Sequence, residues 1–431
     1  MKISTEILNR TEKQKWGYRQ PVILVESQSA PVLFGDPAEQ AYMRGCNIAG
    51  REDLVVTDFP LNRLYIEEYL RGILGFDLPE YLVVDRVGAG CLSDNLLDPR
   101  NRKNLGKIEQ FWLAKGKLPK LQFFNVTEHE LSLMRALNID ATCGNPEMAI
   151  EVGSKPGFRR LCESLRIPMP RGVICHSLEE TIEAVFGLLA EGKEAMIKTE
   201  NGTGGTDLKS NVVIRSVDEV SEKLADFDGF LGKEWVVEEK VEGDDGSIHV
   251  FVQDGQTAEK SYVLGAISAD NSYVGGYFPF EPSEEQVRMM ELVDEVLVPR
   301  LQELGVFGHH CLDFKGGCFL EDNVRPGALD FIHGMVVRIA EKHFGEKPYA
   351  YWHCHVSTSG PTDFDRVFDV LSEYLDPQMA QDGCMAMVSN QEVLPFGRSL
   401  DLTTISYGDD ASVERARVFF DMLSGVVKER L

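Results

Sequence analysis

The stretch that most constrains the fold is a pair of short apolar runs near residue 320, joined by Lys-Gly-Gly. The first run contains Asp313, and the second reads FLEDNVRPG over 319–327. Alternate residues of a strand share a face, so Glu321, Asn323 and Arg325 form one polar row. A glycine pair between two such runs favours a β-hairpin, which would bring Asp313 beside Glu321. The stretch therefore predicts oxygen ligands suited to Mg²⁺, although a lone polar row is also typical of a solvated edge strand.

Length and charge bound the classes of protein that remain. With 431 residues, 43% of them hydrophobic, the chain is long enough for two or three domains with real cores. The 44 basic residues against 69 acidic ones give a net charge of −25 and a pI near 4.8. This balance argues against a nucleic-acid or anionic-membrane surface. An anionic ligand would need locally concentrated cations.

The cysteines and the N-terminal residues favour a cytoplasmic protein. Nine cysteines are scattered without CxxC spacing, which fits a reducing compartment and argues against a disulfide scaffold or a zinc site. The first twenty residues lack the apolar run of a secretory signal. No apolar run is long enough to cross a bilayer.

Residues 1–150 alternate short apolar runs with helical patterns, which predicts a mostly parallel sheet covered on both faces. The runs begin near Pro21, Asp53, Tyr81 and Leu121. Thr127-x-x-Glu130 predicts a capping box that opens a helix. Gly88-Ala-Gly90 is interpreted as a turn, because no clear helix follows it. The region is predicted to be an α/β scaffold without a catalytic cluster.

Two lysines precede glycine-rich or helical segments after residue 150. Lys155 opens an amphipathic helix, and Lys198 ends an apolar strand. The strand leads into a turn rich in glycine, with Gly202, Gly204 and Gly205, and then into another strand. Glycines let backbone N–H groups approach phosphate oxygens, and a lysine supplies positive charge. A strand follows where a P-loop requires a helix, so a Walker-type site is excluded; a flexible solvent turn remains the alternative.

An acidic hinge follows the strand at Trp235. Its residues are Glu238, Glu239, Lys240, Val241, Glu242, Gly243, Asp244 and Asp245. Backbone groups at such a hinge can hydrogen-bond an adenine edge, and a carboxylate beyond it can hold ribose hydroxyls. A charged surface turn is the alternative.

The three stretches, in this order and spacing, resemble the ATP-grasp superfamily of carboxylate ligases over roughly residues 151–344. The resemblance implies a fold that is α/β in a preATP-grasp domain, 1–150, and α+β in an ATP-grasp domain, 151–347, with subdomains 151–237 and 238–347. A small C-terminal α+β extension, 348–431, completes the chain. The layout is similar to that of pheganomycin-type peptide ligases.

The resemblance also implies roles for the residues of the three stretches. Lys155 and Lys198 would clamp the ATP phosphates under the glycine turn, and the adenine hinge would fall on Glu238 to Val241. Asp245, or Asp244 in its place, would hold the ribose. Asp313, Glu321 and Asn323 would bind the metal, as two Mg²⁺ ions for which Mn²⁺ can substitute. Arg325 would face the transferred phosphate or the substrate carboxylate.

The implied activity is ATP-dependent ligation of a carboxylate to an amine through an acyl phosphate, with small-molecule substrates such as amino acids or short peptides. Transfer of the acyl group to a carrier-protein thiol and a nucleotide-binding regulator without turnover are the alternatives. A homodimer is expected.

Several further polar residues could be functional, but most are interpreted as structural or surface residues. His309 or His310 is a candidate base, of which at most one can face the site because adjacent strand residues point to opposite faces. His353-Cys354-His355 is interpreted as loop or surface, and His249 as structural. Gly275-Gly276 is interpreted as a mobile turn. Arg338 is interpreted as a helix-surface arginine.

Overall fold

The computed structural model describes residues 21–29, 44–200, 211–225, 233–243, 245–255, 261–269, 272–380, 382–397 and 399–431. The predicted phosphate-binding glycines Gly202, Gly204 and Gly205, and the alternative ribose ligand Asp244, lie outside the described residues. Everything below concerns the described ranges.

The first domain contains a parallel sheet of four strands in the order β3-β2-β1-β4. Its strands are β1 (Val22–Val25), β2 (Leu54–Thr57), β3 (Glu80–Val83) and β4 (Lys120–Phe123). In β1, Val22 and Leu24 face one hydrophobic core and Ile23 and Val25 face another. Burial of both faces explains the continuous apolar run, and the predicted parallel sheet is confirmed.

The helices of this domain cover both faces of the sheet. They are α1 (Leu64–Ile73, with π-helical hydrogen bonds), α2 (Leu92–Leu97), α3 (Arg102–Ala114), α4 (Glu128–Leu137) and α5 (Pro146–Gly153). The capping box of α4 forms as predicted, with Thr127 and Glu130 closing it reciprocally. The Gly88–Gly90 segment bends as expected, but α2 begins directly after it, so the expectation that no helix follows was wrong.

A buried glutamate organises the chain beyond β1. Glu130 is fully buried and accepts hydrogen bonds from Ser27 Oγ (2.8 Å), Ser29 Oγ (2.5 Å) and Ser93 Oγ (2.8 Å). These bonds fix the path of residues 26–29 at the carboxyl end of the sheet, where side chains of an α/β domain can reach a ligand.

The second sheet is antiparallel, in the order β5-β8-β6-β7. Its strands are β5 (Gly172–Cys175), β6 (Ala195–Thr199), β7 (Asn211–Ile214) and β8 (Trp235–Glu239), and the accompanying helices are α6 (Lys155–Leu165), α7 (Leu178–Ala190) and α8 (Val217–Ala225). Ser154 caps α6 and Pro156 lies in its first turn, as the sequence predicts.

The third sheet has eight strands in the order β13-β12-β9-β10-β11-β14-β16-β15. They are β9 (Asp245–Val252), β10 (Tyr262–Ala269), β11 (Ser272–Phe278), β12 (Gly308–Lys315), β13 (Cys318–Asn323), β14 (Tyr349–Val356), β15 (Cys384–Ser389) and β16 (Leu400–Tyr407). The last three come from the C-terminal extension, which therefore continues the sheet of the preceding domain.

The remaining helices are α9 (Glu284–Leu292), α10 (Val298–Leu304), α11 (Ala328–Ile339), α12 (Phe364–Leu375) and α13 (Val413–Arg430). A π-helical segment, Val293–Leu297, joins α9 to α10, and Pro299 lies in the first turn of α10. The tail also reaches the first domain, because Phe364 packs edge-on against Tyr65 at 4.9 Å between ring centroids. The predicted α/β and α+β fold class is confirmed.

Two sequence interpretations in this sheet were wrong. Gly275 and Gly276 lie inside β11 and pair with β14. They are not a turn: a Cβ at Gly275 would lie 2.0 Å from the His353 carbonyl oxygen, so the strands approach too closely for a side chain. His353 and His355 lie in β14 and not in a loop; His353 is buried and bonded to Thr403 (3.0 Å), whereas His355 is exposed, as the surface interpretation expected.

No helix in the described ranges is long and apolar enough to cross a membrane. All nine cysteines are free.

Candidate active site

The predicted hairpin forms between β12 and β13. Asp313 lies directly opposite Glu321, and Cys311 lies opposite Asn323. A bulge follows Asp313, and the Asn323 side-chain amide donates to Asp313 Oδ2 at 3.1 Å. Two carboxylates and an amide oxygen thus share one partly exposed face.

Lys155 reaches this face from the start of α6. Its ammonium group lies 3.0 Å from Glu321 Oε2, and only about 5% of the residue is exposed. The backbone N–H of Lys155 donates to the Glu200 carbonyl (3.1 Å), which holds the helix start near the end of β6. Lys155, which is predicted to bind the ATP phosphates, therefore lies beside the carboxylate of Glu321.

Lys198 is held by a buried ion network. Its ammonium group lies 2.5 Å from Glu238 Oε1, and the other oxygen of Glu238 lies 2.6 Å from the Arg159 guanidinium. Glu238 and Arg159 are each 2% exposed. Arg159 also donates to the Pro170 carbonyl at 2.9 Å. The buried carboxylate of Glu238 is therefore the shared counterion of Lys198 and Arg159.

The two hairpin carboxylates respond in opposite directions to this environment. Burial raises the pKa of Asp313 well above its ordinary value, and the neighbouring charge of Glu321 raises it further. Burial also acts to raise the pKa of Glu321, but Lys155 and Lys198 more than offset it and lower that pKa to about 2. Glu321 is the ionised member of the pair, and a second negative charge beside it is unfavourable without a further cation.

This donor set fits a magnesium ion. Mg²⁺ prefers oxygen ligands and is bound through one or two carboxylates together with substrate phosphates. Asp313 and Glu321 supply the carboxylates, Asn323 supplies an amide oxygen, and a divalent cation would remove the repulsion that raises the pKa of Asp313. The charges of both lysines act on Glu321.

Arg325 lies beside the hairpin and stacks on an aromatic ring. Its guanidinium carbon is 4.6 Å from the centre of the Phe124 ring, and that of Arg44 is 4.4 Å from the same ring. Arginine on an aromatic face is held by cation–π attraction. Phe124 follows β4, so the first domain contributes directly to the position of Arg325.

The acidic hinge lies at the boundary between the second and third sheets. Glu238 pairs through its backbone with both Gly172 and Met196, so it belongs to the sheet interior and offers its side chain to the lysine. Glu239 ends β8, and the Lys240 N–H donates to the Glu194 carbonyl at 2.9 Å. Lys240 and Val241 are the first residues of the hinge that follow the end of β8.

Asp245 begins β9 on the other side of this hinge. Its carboxylate lies 3.1 Å from Lys315 of the hairpin turn. Gly243 adopts a φ of +135°, and a Cβ there would lie 2.7 Å from Gly316 Cα. The hinge therefore packs against the tip of the β12–β13 hairpin, close to Asp245, the residue predicted to hold the ribose.

Neither of the two adjacent histidines, His309 and His310, is positioned as a general base for the candidate site. His310 Nδ1 lies 2.8 Å from Asp322 on the opposite side of the hairpin, where both side chains are fully buried. His309 packs against Phe251 with 4.8 Å between ring centroids, and burial lowers its pKa to about 4. His249 is structural as interpreted: its Nδ1 lies 2.7 Å from Asp330.

Comparison with protein-family models gives no match, and comparison with curated protein sequences gives none either. Comparison with solved structures is informative. N5-carboxyaminoimidazole synthase from Aspergillus clavatus, solved with ADP and 5-aminoimidazole ribonucleotide, is 12% identical, with 96% of this chain and 99% of that chain covered and a TM-score of 0.56.

Two further structures give similar values. The biotin carboxylase domain of the Hydrogenobacter thermophilus 2-oxoglutarate carboxylase, solved with MgADP and bicarbonate, is 14% identical, covers 94% and 89% of the two chains and has a TM-score of 0.55. L-Amino acid ligase from Bacillus licheniformis is 12% identical, covers 95% and 98%, and has a TM-score of 0.53. This chain has the ATP-grasp fold. Identities this low establish the fold alone.

Sequence reasoning missed two residues that hold charged side chains of the candidate site, Arg159 on the lysine side and Phe124 beside Arg325. Arg159 lies one helical turn after Lys155 and holds Glu238. The i, i+4 spacing on α6 was a usable signal, because both side chains then share one helix face. Phe124 was also missed, and no pattern in the sequence marks it, since its role depends on domain packing.

Proposed function

We propose that this chain is an ATP-dependent ligase that joins a carboxylate to an amine through an acyl phosphate. One observation carries the proposal: Lys155, Asp313, Glu321 and Asn323 converge on one face, with Lys198 and Arg325 beside it. The ATP-grasp fold over nearly the whole chain supports ATP as the phosphate donor.

The proposed chemistry follows from the substrate. A carboxylate is a poor electrophile, because its charge repels the amine and an oxide ion does not leave. Transfer of the γ-phosphate of ATP to a carboxylate oxygen creates a mixed anhydride, from which phosphate leaves when the amine attacks. The products are an amide, ADP and phosphate.

Phosphoryl transfer between anions requires dense positive charge, which this chain supplies from three side chains. Lys155 and Lys198 bind phosphate oxygens, each exchanging part of its interaction with Glu321 or Glu238 for the ligand. Arg325 holds the transferred phosphate or the carboxylate that receives it. Held by Phe124, Arg325 has little freedom to lose when the substrate binds.

Magnesium bound by Asp313, Glu321 and Asn323 would neutralise charge on the ATP phosphates. The hinge at Lys240 and Val241 is proposed to receive the adenine edge, and Asp245 the ribose. Substrates are proposed to be small molecules, with amino acids or short peptides as the first class to test.

The experiment is ADP release with Mg²⁺-ATP across a panel of carboxylates and amines, each alone and in pairs. Glu321→Gln is the test variant and Glu346→Gln, on an exposed loop, is the matched control. Loss of one electrostatic group of this kind reduces kcat by about 10²–10³. The control should retain the activity of the unmodified chain.

Each outcome separates the competing functions. ADP and phosphate from an acid–amine pair, lost in Glu321→Gln, supports the ligase. ADP release that requires a carrier protein, with a mass increase on that protein, indicates acyl transfer to a thiol. Tight ATP binding without ADP release under any condition indicates a regulator, and AMP with pyrophosphate would overturn the acyl-phosphate route.

A further inference from the structure

Beyond Arg325, three parts of the chain meet in a polar cluster that the nucleotide and metal sites do not use. The cluster consists of Glu26, which follows β1, and of the segment Ser389–Glu392, which links β15 to the last strand. The turn at Gly45–Asn47 lies between them. Glu26 and Glu392 are each only 7% exposed.

The cluster adjoins the proposed active site through a short chain of contacts. Arg325 and Arg44 stack on the same Phe124 ring, and the positive charge of Arg44 acts on the Glu26 carboxyl. The charge of Glu26 in turn acts on Glu392. Phe124 and Arg44 therefore link Arg325 to the segment that holds Glu26, because the Gly45 N–H next to Arg44 donates to Glu26.

Some oxygens of the cluster have partners that fix their orientation. Glu26 Oε1 accepts from the Gly45 N–H at 2.5 Å, and Glu392 Oε1 accepts from the Gln391 amide at 2.5 Å. The Asn390 amide donates to Asp401 Oδ2 at 2.5 Å. The side chains are thus placed by the fold.

Other atoms of the cluster are buried without a hydrogen-bond partner among the residues that the structure describes. They are Glu392 Oε2, Asn390 Oδ1 and Ser389 Oγ, together with Asn47 Nδ2 of the adjoining turn. Two of these atoms can only accept, one can only donate and the serine hydroxyl can do either. A buried polar atom without a partner is costly by about 1–3 kcal/mol, so such a group points to a ligand that supplies donors.

The charge of the cluster indicates which donor is suitable. Burial raises the pKa of Glu26 to about 7 and that of Glu392 to about 8. A cation entering between them would favour the ionised forms, and a primary ammonium group brings one positive charge with three N–H donors.

We propose that Glu26 and Glu392 form a subsite for the primary ammonium group of the acyl-donor substrate, whose carboxylate faces Arg325. The substrate class is therefore amino acids. This inference rests on the proposed function, because it assigns the carboxylate end of the ligand to the site where phosphate is transferred.

The main competing explanation is purely structural. Two buried acids can remain protonated and serve only to join the first domain to the tail. In that case replacing either acid by glutamine would leave substrate preference unchanged.

The test begins with binding measured by isothermal titration in the presence of Mg²⁺ and a non-hydrolysable ATP analogue. The ligands are the standard amino acids, β-alanine and γ-aminobutyrate, each compared with the carboxylic acid of the same carbon skeleton that lacks the amino group. The proteins are the unmodified chain, Glu26→Gln, Glu392→Gln and Asp58→Asn. Asp58 is a matched control, because its carboxyl group is also buried in the first domain and burial also raises its pKa. It lies outside the cluster and is paired with Arg86.

The expected result is a preference of at least tenfold for an amino acid over its deaminated counterpart in the unmodified chain. Glu26→Gln and Glu392→Gln should each weaken amino-acid binding at least tenfold, leave the deaminated acid within twofold, and leave affinity for the nucleotide unchanged. Asp58→Asn should behave like the unmodified chain. Circular dichroism confirms that each variant folds.

Three results would overturn the proposal: no amino acid binds, deaminated acids bind equally well, or the glutamine variants weaken both kinds of ligand alike. Failure of the proposed function is visible separately. If the amino acid binds with the predicted preference but Mg²⁺-ATP yields no ADP with it, the subsite stands and the ligase reaction does not.

Discussion

Replacement of Glu238 by glutamine should destabilise the second sheet far more than an ordinary surface substitution. Glu238 is the counterion of both Lys198 and Arg159, and it is 2% exposed. Glutamine keeps the shape but removes the charge, and its NH2 group replaces an oxygen acceptor with N–H donors at one of the two cations. The cations would then be buried without the carboxylate that neutralises them.

The magnitude follows from the contacts that remain. Removing one partner of a buried ion pair costs about 3–5 kcal/mol. Arg159 would keep its hydrogen bond to the Pro170 carbonyl and its 3.1 Å contact with the exposed Glu163, which favours the lower end. We expect a loss of about 3 kcal/mol, equivalent to a roughly hundredfold increase in local opening.

Hydrogen exchange measured by mass spectrometry is the suitable assay, because a chain of several domains does not unfold in one step. Peptides covering β6 and β8 should exchange about a hundredfold faster in Glu238→Gln. The matched control is Glu191→Gln, which breaks the exposed pair with Arg171 in the same module and should change local stability by less than about 1 kcal/mol.

A double-mutant cycle with Arg159→Met isolates the pair. The loss in the double variant should be smaller than the two single losses combined, by about 1–3 kcal/mol. If Glu238→Gln exchanges at the same rate as Glu191→Gln, the buried network does not hold this sheet together and the reasoning is refuted.

Four further predictions can be tested directly. The stability of the folded chain should decline between pH 4.5 and about 8. Burial raises the pKa of Glu26 to about 7 and that of Glu392 to about 8, so both acids bind protons more tightly in the folded state. The urea midpoint should therefore be lower at pH 8.5 than at pH 5.5, and the difference should be smaller in Glu392→Gln. Gly276→Ala should cost about 1–3 kcal/mol of local stability in hydrogen exchange of β11, because its Cβ would lie 2.5 Å from Leu329. Gly106→Ala on α3, where a Cβ would have no atom within 4 Å, should stabilise that helix by up to about 1 kcal/mol; similar effects of the two replacements would contradict this. Asp313→Asn should raise at least tenfold the Mg²⁺ concentration needed for half-maximal ADP release, and an unchanged requirement would place the metal elsewhere. His309→Gln should leave the pH profile of kcat between pH 6 and 9 unaltered, since burial keeps that imidazole neutral with a pKa of about 4; loss of an apparent pKa would restore it as a base.

The parts of the fold predictable from sequence were those encoded by local patterns. The run Val22–Val25 identified a doubly buried strand, and Thr127 with Glu130 identified a helix start. The hairpin of Asp313 and Glu321 followed from strand alternation and a glycine turn, and its register agrees. These signals depend on neighbours within a few residues.

The features that sequence could not supply depend on contacts between distant segments. Glycine at Gly275 and Gly276 indicated a turn, although the real cause is the neighbouring tail strand at Gly275 and the Leu329 side chain at Gly276. His353 was interpreted as a loop or surface residue because its partner, Thr403, is fifty residues away in the sequence. The acid cluster of Glu26 and Glu392 joins the two ends of the chain, which no local pattern records.

Because the C-terminal segment supplies three strands of the third sheet, that sheet can be completed only late in the synthesis of the chain. Tyr65 is packed against Phe364, which leaves the ribosome about 300 residues later, and at about 5–20 residues per second this interval lasts roughly 15–60 s. Until then the apolar face of α1 and one edge of β11 lack their native cover. A newly made chain would therefore expose these apolar and unpaired surfaces until the tail has been synthesised.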